Sequence, residues 1–184
     1  MKQKIKNYSI HFIKEMIPVV IGILIALSID NWNQSRKDKK YSEEIFALIN
    51  SELNETLESI KETTPKQKAL VDTIEVYASN KDVSILQSVL KAKGIYIATV
   101  KMNAWNAFSN SKIELVDYKK LTALSNIEEQ KELLKLKSET LMNLILTNSS
   151  DNNENQKNVF KMMLMDIIQT QKTMQRDIEA YLKK

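Results

Sequence analysis

The stretch Met16–Ile29, MIPVVIGILIALSI, decides the fold because it is a run of fourteen uncharged residues near the start of a charge-rich chain. Such a run covers about 21 Å of helix, whereas the hydrocarbon core of a bilayer is roughly 30 Å thick. Its flanks extend it, since Phe12 and Trp32 lie where interfacial aromatic residues are expected. Lys14 is long enough to reach the headgroups. The sequence therefore predicts one transmembrane helix over residues 12–32, with Lys14 and Trp32 as interfacial anchors.

Two alternatives for this stretch are a cleaved secretory signal and a buried helix of a soluble protein. Lys2, Lys4 and Lys6 resemble the basic start of a signal peptide, but the segment ends in ALSIDNWN, without a small-x-small cleavage site. A soluble fold would have to bury the helix on all sides, and the remaining body is too small and polar for that. An uncleaved signal anchor fits better.

The composition indicates a single helical domain beyond the anchor. The chain has only two glycines and two prolines in 184 residues, and Lys, Glu, Leu, Ile, Met and Gln are abundant. It has no cysteine, which excludes disulfides and thiolate chemistry, and its net charge of +4 says little about partners. We therefore predict a basic tail (1–11), the transmembrane helix (12–32) and a helical extramembrane domain (33–184).

Apolar periodicity predicts an all-α fold, in which the anchor continues into a long helix and an antiparallel helical bundle follows. The first amphipathic stripe is Ile45, Ile49, Leu53, Leu57 and Ile60.

We expect this first helix to end near Thr63–Thr64, since Pro65 follows. A second helix is predicted over 66–79. Asp82 should then cap a short helix that reaches Lys93, and Gly94 should adopt a left-handed C-cap.

Helix-breaking and helix-capping residues predict the boundaries of the remaining elements. Residues 94–101 are interpreted as an extended entry into a helix over 103–108, although their β-branched content also allows a strand. Asp117 should cap a helix that reaches about Leu146, and residues 147–153 form a polar turn. The last helix, about 154–182, carries a heptad seam with a polar residue inside it. The seam is Phe160, Leu164, Ile167, Gln171, Met174, Ile178 and Tyr181.

The run Val19–Lys40, VVIGILIALSIDNWNQSRKDKK, resembles a family of uncharacterised bacterial single-pass membrane proteins with an N-terminal VVIGILIAL-x-I-x-N-W-N anchor. Met102–Ser125 is similar to a second recurring block of that family. Ser28 and Asp30 stand where that family usually has Gln and Asn, and Asn110–Ser111 stands where it commonly has Ser-Gly. The family is a domain of unknown function, so the resemblance implies a membrane location and no activity.

Around the anchor, two features are candidates for interaction. Gly22 and Ala26 have the small-xxx-small spacing that lets two membrane helices approach closely. After the span comes a basic stretch that suits anionic lipid headgroups better than nucleic acid, because it lies directly beside the membrane exit. It consists of Arg36, Lys37, Lys39 and Lys40.

The sequence lacks a recognisable catalytic device. His11 is the only histidine and lies at the predicted membrane edge, so a histidine-based triad or a histidine-rich metal site is excluded. Carboxylate pairs such as Glu128–Glu129 lie among lysines, as on solvated helix faces. The cluster Met162–Met165 is expected to fill the core rather than to form a binding surface. We predict no enzyme activity and no cofactor.

The orientation in the membrane is weakly specified, because four basic residues lie on each side of the span. The usual arrangement of a signal anchor favours a bacterial inner membrane protein with a periplasmic body. Two functions remain. The first is a membrane-anchored helical interaction or scaffold protein that associates with itself or with another membrane protein. The second is an extracytoplasmic ligand-sensing bundle that signals through a partner.

Overall fold

The computed structural model describes the backbone of residues 2–183 and the side chains of residues 14–183. It is all-α within that range, with five α-helices, one 3₁₀ helix and no strand. The chain divides into two units, residues 1–44 and residues 45–184. The elements are α1 (Lys2–Val76), α2 (Ile85–Lys91), α3 (Asn103–Lys112), the 3₁₀ helix (Ile113–Leu115), α4 (Tyr118–Asn148) and α5 (Glu154–Leu182).

The first unit is helical throughout its described backbone. In the predicted tail over residues 1–11, the backbone is helical from Lys2 onward, and the side chains lie outside the described ones. Within α1, an eighteen-residue window has a mean hydropathy of 1.6, and none of it is buried. This helix is therefore long and apolar enough to cross a membrane.

The prediction that the first helix ends before Pro65 is wrong, because α1 continues through Pro65 to Val76. The inward stripe does not stop at Pro65, since Leu70 and Ile74 beyond it are each only 1% exposed. Burial of this second stretch offsets the missing proline N–H, which alone costs about 3 kcal/mol in a helix interior. The predicted helix over 66–79 is therefore the end of α1.

Helix α2 begins at Ile85, later than the short helix that was predicted to follow Asp82. Ser84, not Asp82, is its N-cap, and a reciprocal capping box with Gln87 explains the choice. The Ser84 N–H donates to Gln87 Oε1 at 2.8 Å, and the Gln87 N–H donates to Ser84 Oγ at 3.2 Å. The helix ends at Lys91, earlier than predicted. The left-handed position after its C-cap is taken by Lys93, with a φ of +66°, rather than by Gly94, which follows it with a φ of +114°.

Residues 94–101 form an extended strap that is fastened to α1 by side chains of that helix, rather than a strand. The Thr99 N–H donates to Ser59 Oγ at 2.8 Å, and the Lys101 N–H donates to Thr56 Oγ1 at 3.0 Å. At the other end of the strap, Gln67 Nε2 donates to the Tyr96 carbonyl at 2.8 Å. Polar residues on one face of α1 thus replace a partner strand.

The last elements match the sequence-based boundaries closely. Helix α3 extends beyond the predicted 108 to Lys112. Asp117 caps α4 as predicted, accepting from the N–H groups of Lys119 and Lys120 at 3.0 and 3.1 Å. Helices α4 and α5 are antiparallel neighbours, since Gln130 contacts Asp177 while Lys137 contacts Asp166. The antiparallel helical bundle is therefore confirmed for the second unit.

Candidate functional site

The anchor presents its apolar side chains outward. Large side chains between Met16 and Trp32 are 43–61% exposed, and a Cβ added to Gly22 would meet no atom within 4 Å. Gly22 and Ala26 thus lie on an open helix surface on which a second helix has room to approach. Lys14 and Trp32, the predicted interfacial anchors, are also exposed.

The positive charge of the basic stretch after the anchor is largely balanced by acidic residues next to it in the sequence. Lys39 and Lys40 face Glu43 and Glu44 at 4.0 and 3.7 Å, one helical turn on. The guanidinium of Arg36 lies 5.1 Å from the Trp32 ring centroid, a cation–π contact. Four basic and three acidic residues in 34–44 leave a net charge of only +1. The attraction of this stretch to anionic headgroups is therefore weaker than its four basic residues alone suggest, although Arg36, Lys37, Lys39 and Lys40 are all exposed.

The heptad seam of α5 lies inside the bundle. Its first six residues, from Phe160 to Ile178, are each 0% exposed. The seventh, Tyr181, is half-buried and packs against the core. The seam therefore binds helices of the same chain, and a partner would have to contact other surfaces. Both amide atoms of Gln171 lack a hydrogen-bond partner.

The expectation that Met162–Met165 fills the core is wrong for two of its residues. Met162 is 67% exposed and Met165 is 52% exposed, while Leu164 is fully buried. Four consecutive residues of an α-helix are spread over about 300° around its axis, so they cannot all face inward. Methionine side chains adapt readily to irregular partners. Together with exposed Leu136 and Leu146 on α4, they make the second unit apolar on part of its outer surface.

A pocket of about 200 Å³ lies where α1, α4 and α5 meet in the second unit. One part of its wall is apolar and the other carries cationic and hydrogen-bonding groups. The apolar lining is Phe46, Ala123 and Leu182, and the polar lining is Asn50, Lys119, Lys120 and Tyr181.

The groups of this pocket are held in place from behind. The Phe46 ring packs edge-on against Phe108, which is fully buried, with 5.4 Å between ring centroids. The ammonium of Lys120 lies 4.4 Å from the Phe46 ring centroid. Burial, aided by the negative charge of Asp117, raises the pKa of Tyr181 to about 12. Its phenol is a hydrogen-bond donor at neutral pH, as an ordinary tyrosine is.

Nothing in the described residues forms a metal-binding cluster of His, Asp or Glu side chains. Glu128, one of the paired carboxylates, accepts a hydrogen bond at 2.9 Å from Nε1 of the buried Trp105, which is a structural role. The side chain of His11 lies outside the described ones. Comparisons with protein-family models, curated proteins and solved structures give no match.

Sequence reasoning missed most of the pocket. It placed Tyr181 at the end of the seam and did not single out Phe46, Lys119 or Lys120. These residues come from three helices that are far apart in the sequence, and only the tertiary packing of α1, α4 and α5 brings them together. No local motif signals such a site.

Proposed function

We propose that this chain is a membrane-anchored helical scaffold that acts by helix–helix association with itself or with another membrane protein. The proposal includes no catalytic step. The observation that carries it is the anchor, an unbroken helix whose apolar side chains find no partner within their own unit. Such a surface suits lipid and other membrane helices, because backbone groups satisfied within a helix can enter hydrocarbon.

Two surfaces support association, and the seam of α5 is not one of them. In the membrane, the small residues Gly22 and Ala26 would let a second helix approach. Outside it, the exposed Met162 and Met165 offer an adaptable apolar surface. The resemblance to bacterial single-pass proteins supports an inner-membrane location, and the proposal places the body in the periplasm.

The absence of cysteine from the sequence makes a sharp experiment possible. Single cysteines at each position from 19 to 29 would be introduced into the full chain and oxidised in intact membranes. We expect disulfide-linked dimers to peak at Gly22→Cys and Ala26→Cys, on one helix face, and to be weak at the opposite positions. A matched cysteine at exposed Leu90 on α2 reports random collision.

Equal, weak crosslinking at every position, together with a monomer in detergent and no crosslinked neighbour in cells, would overturn the scaffold proposal. A single strong product of higher mass than a dimer would instead identify a different membrane protein as the partner. That result would support association with another membrane protein rather than self-association.

Ligand sensing is a second candidate because the pocket between α1, α4 and α5 combines cations with an apolar wall. It predicts that a small molecule raises the melting temperature of the full chain in detergent. A metabolite screen without any such shift would remove this candidate and leave the scaffold proposal unaffected.

A further inference from the structure

The pocket lined by Lys119, Lys120 and Phe46 has the chemistry of an amphiphile site. Its polar part offers two ammonium groups and the phenol of Tyr181, all hydrogen-bond donors, and the amide of Asn50. Its other wall is made of aromatic and aliphatic carbon. A ligand that fits both parts carries a negative charge next to an apolar portion.

The charge balance of the pocket favours an anion. Asp117 is the acidic group beside Tyr181. Its carboxylate already accepts hydrogen bonds from the backbone N–H groups of Lys119 and Lys120. The two lysine side chains outnumber this single carboxylate, and both are exposed to an incoming ligand. The contact between Lys120 and Phe46 holds one ammonium at the apolar wall before any ligand arrives.

The size of the pocket indicates that only one end of the ligand enters. Cavities that enclose a whole drug-sized molecule measure about 300–1,000 Å³, whereas this one measures about 200 Å³. The remainder of a larger ligand must stay outside. A membrane-anchored chain meets such molecules at high local concentration.

We propose that this pocket binds the headgroup of an anionic phospholipid. The phosphate lies at Lys119 and Lys120, and the adjoining apolar part of the lipid packs against Phe46 and Leu182. The site is separate from the basic stretch at 36–40, and the inference rests on the proposed membrane location only for the supply of lipid.

The test measures binding to the full chain in a neutral detergent, using short-chain phosphatidylglycerol, short-chain phosphatidylcholine and inorganic phosphate as probes in calorimetric titrations. We expect phosphatidylglycerol to bind more tightly than either of the other two. The variant Lys119→Gln/Lys120→Gln should lose at least about tenfold in affinity, the effect of removing one charge-assisted hydrogen bond.

Two further variants separate a pocket from general charge attraction. Lys68→Gln/Lys172→Gln removes the same charge from another groove, between α1 and α5, and should leave the affinity unchanged. Ala123→Leu fills the pocket without changing its charge, and it should weaken binding even if the lysine variant does not fold.

Equal loss in both lysine variants, unchanged binding by Ala123→Leu, or phosphatidylcholine binding as tightly as phosphatidylglycerol would overturn the proposal. Inorganic phosphate binding as tightly as phosphatidylglycerol would also overturn it and assign the site to a free anion. The measurement needs no bilayer, so its failure is distinguishable from failure of the membrane-anchored scaffold.

Discussion

The polar side chains buried in the core of the second unit need hydrogen-bond partners, whereas its many leucines and isoleucines do not. Gln67 and Gln171 are both 0% exposed, and between them three amide atoms lack a hydrogen-bond partner. An unpaired buried polar atom costs about 1–3 kcal/mol. The heptad pattern predicted the position of Gln171 in a seam, but it could not predict whether a partner would face the amide, because partners on other helices are set by tertiary packing.

Replacing Gln171 with methionine should leave the bundle as stable as before or stabilise it by about 1–2 kcal/mol, because the unpaired amide disappears while the volume is nearly kept. The measurement is urea unfolding of the full chain in detergent, followed by Trp105 fluorescence in a Trp32→Phe background. Gln169→Met, on the exposed side of α5, is the matched control and should change little. A loss of more than about 1 kcal/mol in Gln171→Met would show that the amide has a partner.

Tyr181 gives a residue-scale prediction about pH. Its pKa rises from 10 to about 12 in the folded chain, so the folded state keeps its proton where the unfolded state loses it. The stability that depends on this proton is fully present below pH 10 and is lost as the pH rises towards 12.

The prediction is checked by tyrosinate absorbance of the full chain during an alkaline titration. The titration should contain a step near pH 12, and Tyr181→Phe should remove that step. A step there that persists in Tyr181→Phe would contradict the assignment. Tyr118→Phe is the control, since Tyr118 is 80% exposed.

Among the elements, α1 shows where local rules fail and why. A proline is a strong stop signal in an isolated helix, yet Leu70 and Ile74 beyond Pro65 join the core and keep the helix going. By contrast, the start of α4 at Asp117 and both ends of α5 were predictable because caps and turn residues act locally. Element boundaries set by short-range hydrogen bonds are therefore readable from sequence, whereas those set by long-range burial are not.

Lys157 of α5 binds the backbone just after the end of α1, and this contact gives a prediction about these two helices. It is fully buried, and its ammonium donates to the carbonyls of Tyr77 and Asn80 at 2.9 and 2.6 Å, just after the helix ends. A cation there also interacts favourably with the helix dipole. Lys157→Met should destabilise the bundle by about 2–3 kcal/mol, because these carbonyls lose a charged donor.

The comparison uses the same urea unfolding assay, with Lys172→Met on the exposed face of α5 as its control. We expect Lys172→Met to remain within about 0.5 kcal/mol of the parent chain. An equally small effect of Lys157→Met would mean that water replaces the ammonium at the end of α1.

Across the whole molecule, the two units differ in where their large apolar side chains point. In residues 45–184 the large apolar side chains mostly point into a core, while in the described part of residues 1–44 they point outward. A helix that is apolar on all sides is typical of a membrane span or of the core of a larger assembly. The charge-free run at Met16–Ile29 is readable from the sequence alone, because it needs no knowledge of tertiary contacts. The pocket between α1, α4 and α5 could not be predicted in that way.

The proposal that this helix inserts into a membrane gives the last prediction. An arginine at the centre of a membrane helix costs about 2.5–3.5 kcal/mol in insertion, so Leu24→Arg should move a measurable fraction of the full chain from the membrane pellet to the supernatant on alkaline carbonate extraction. Leu90→Arg is the matched control, since Leu90 on α2 is 66% exposed but belongs to the second unit. It should leave the distribution unchanged. If the parent chain itself enters the supernatant, or if both variants behave alike, the apolar surface of α1 serves a partner protein rather than a bilayer.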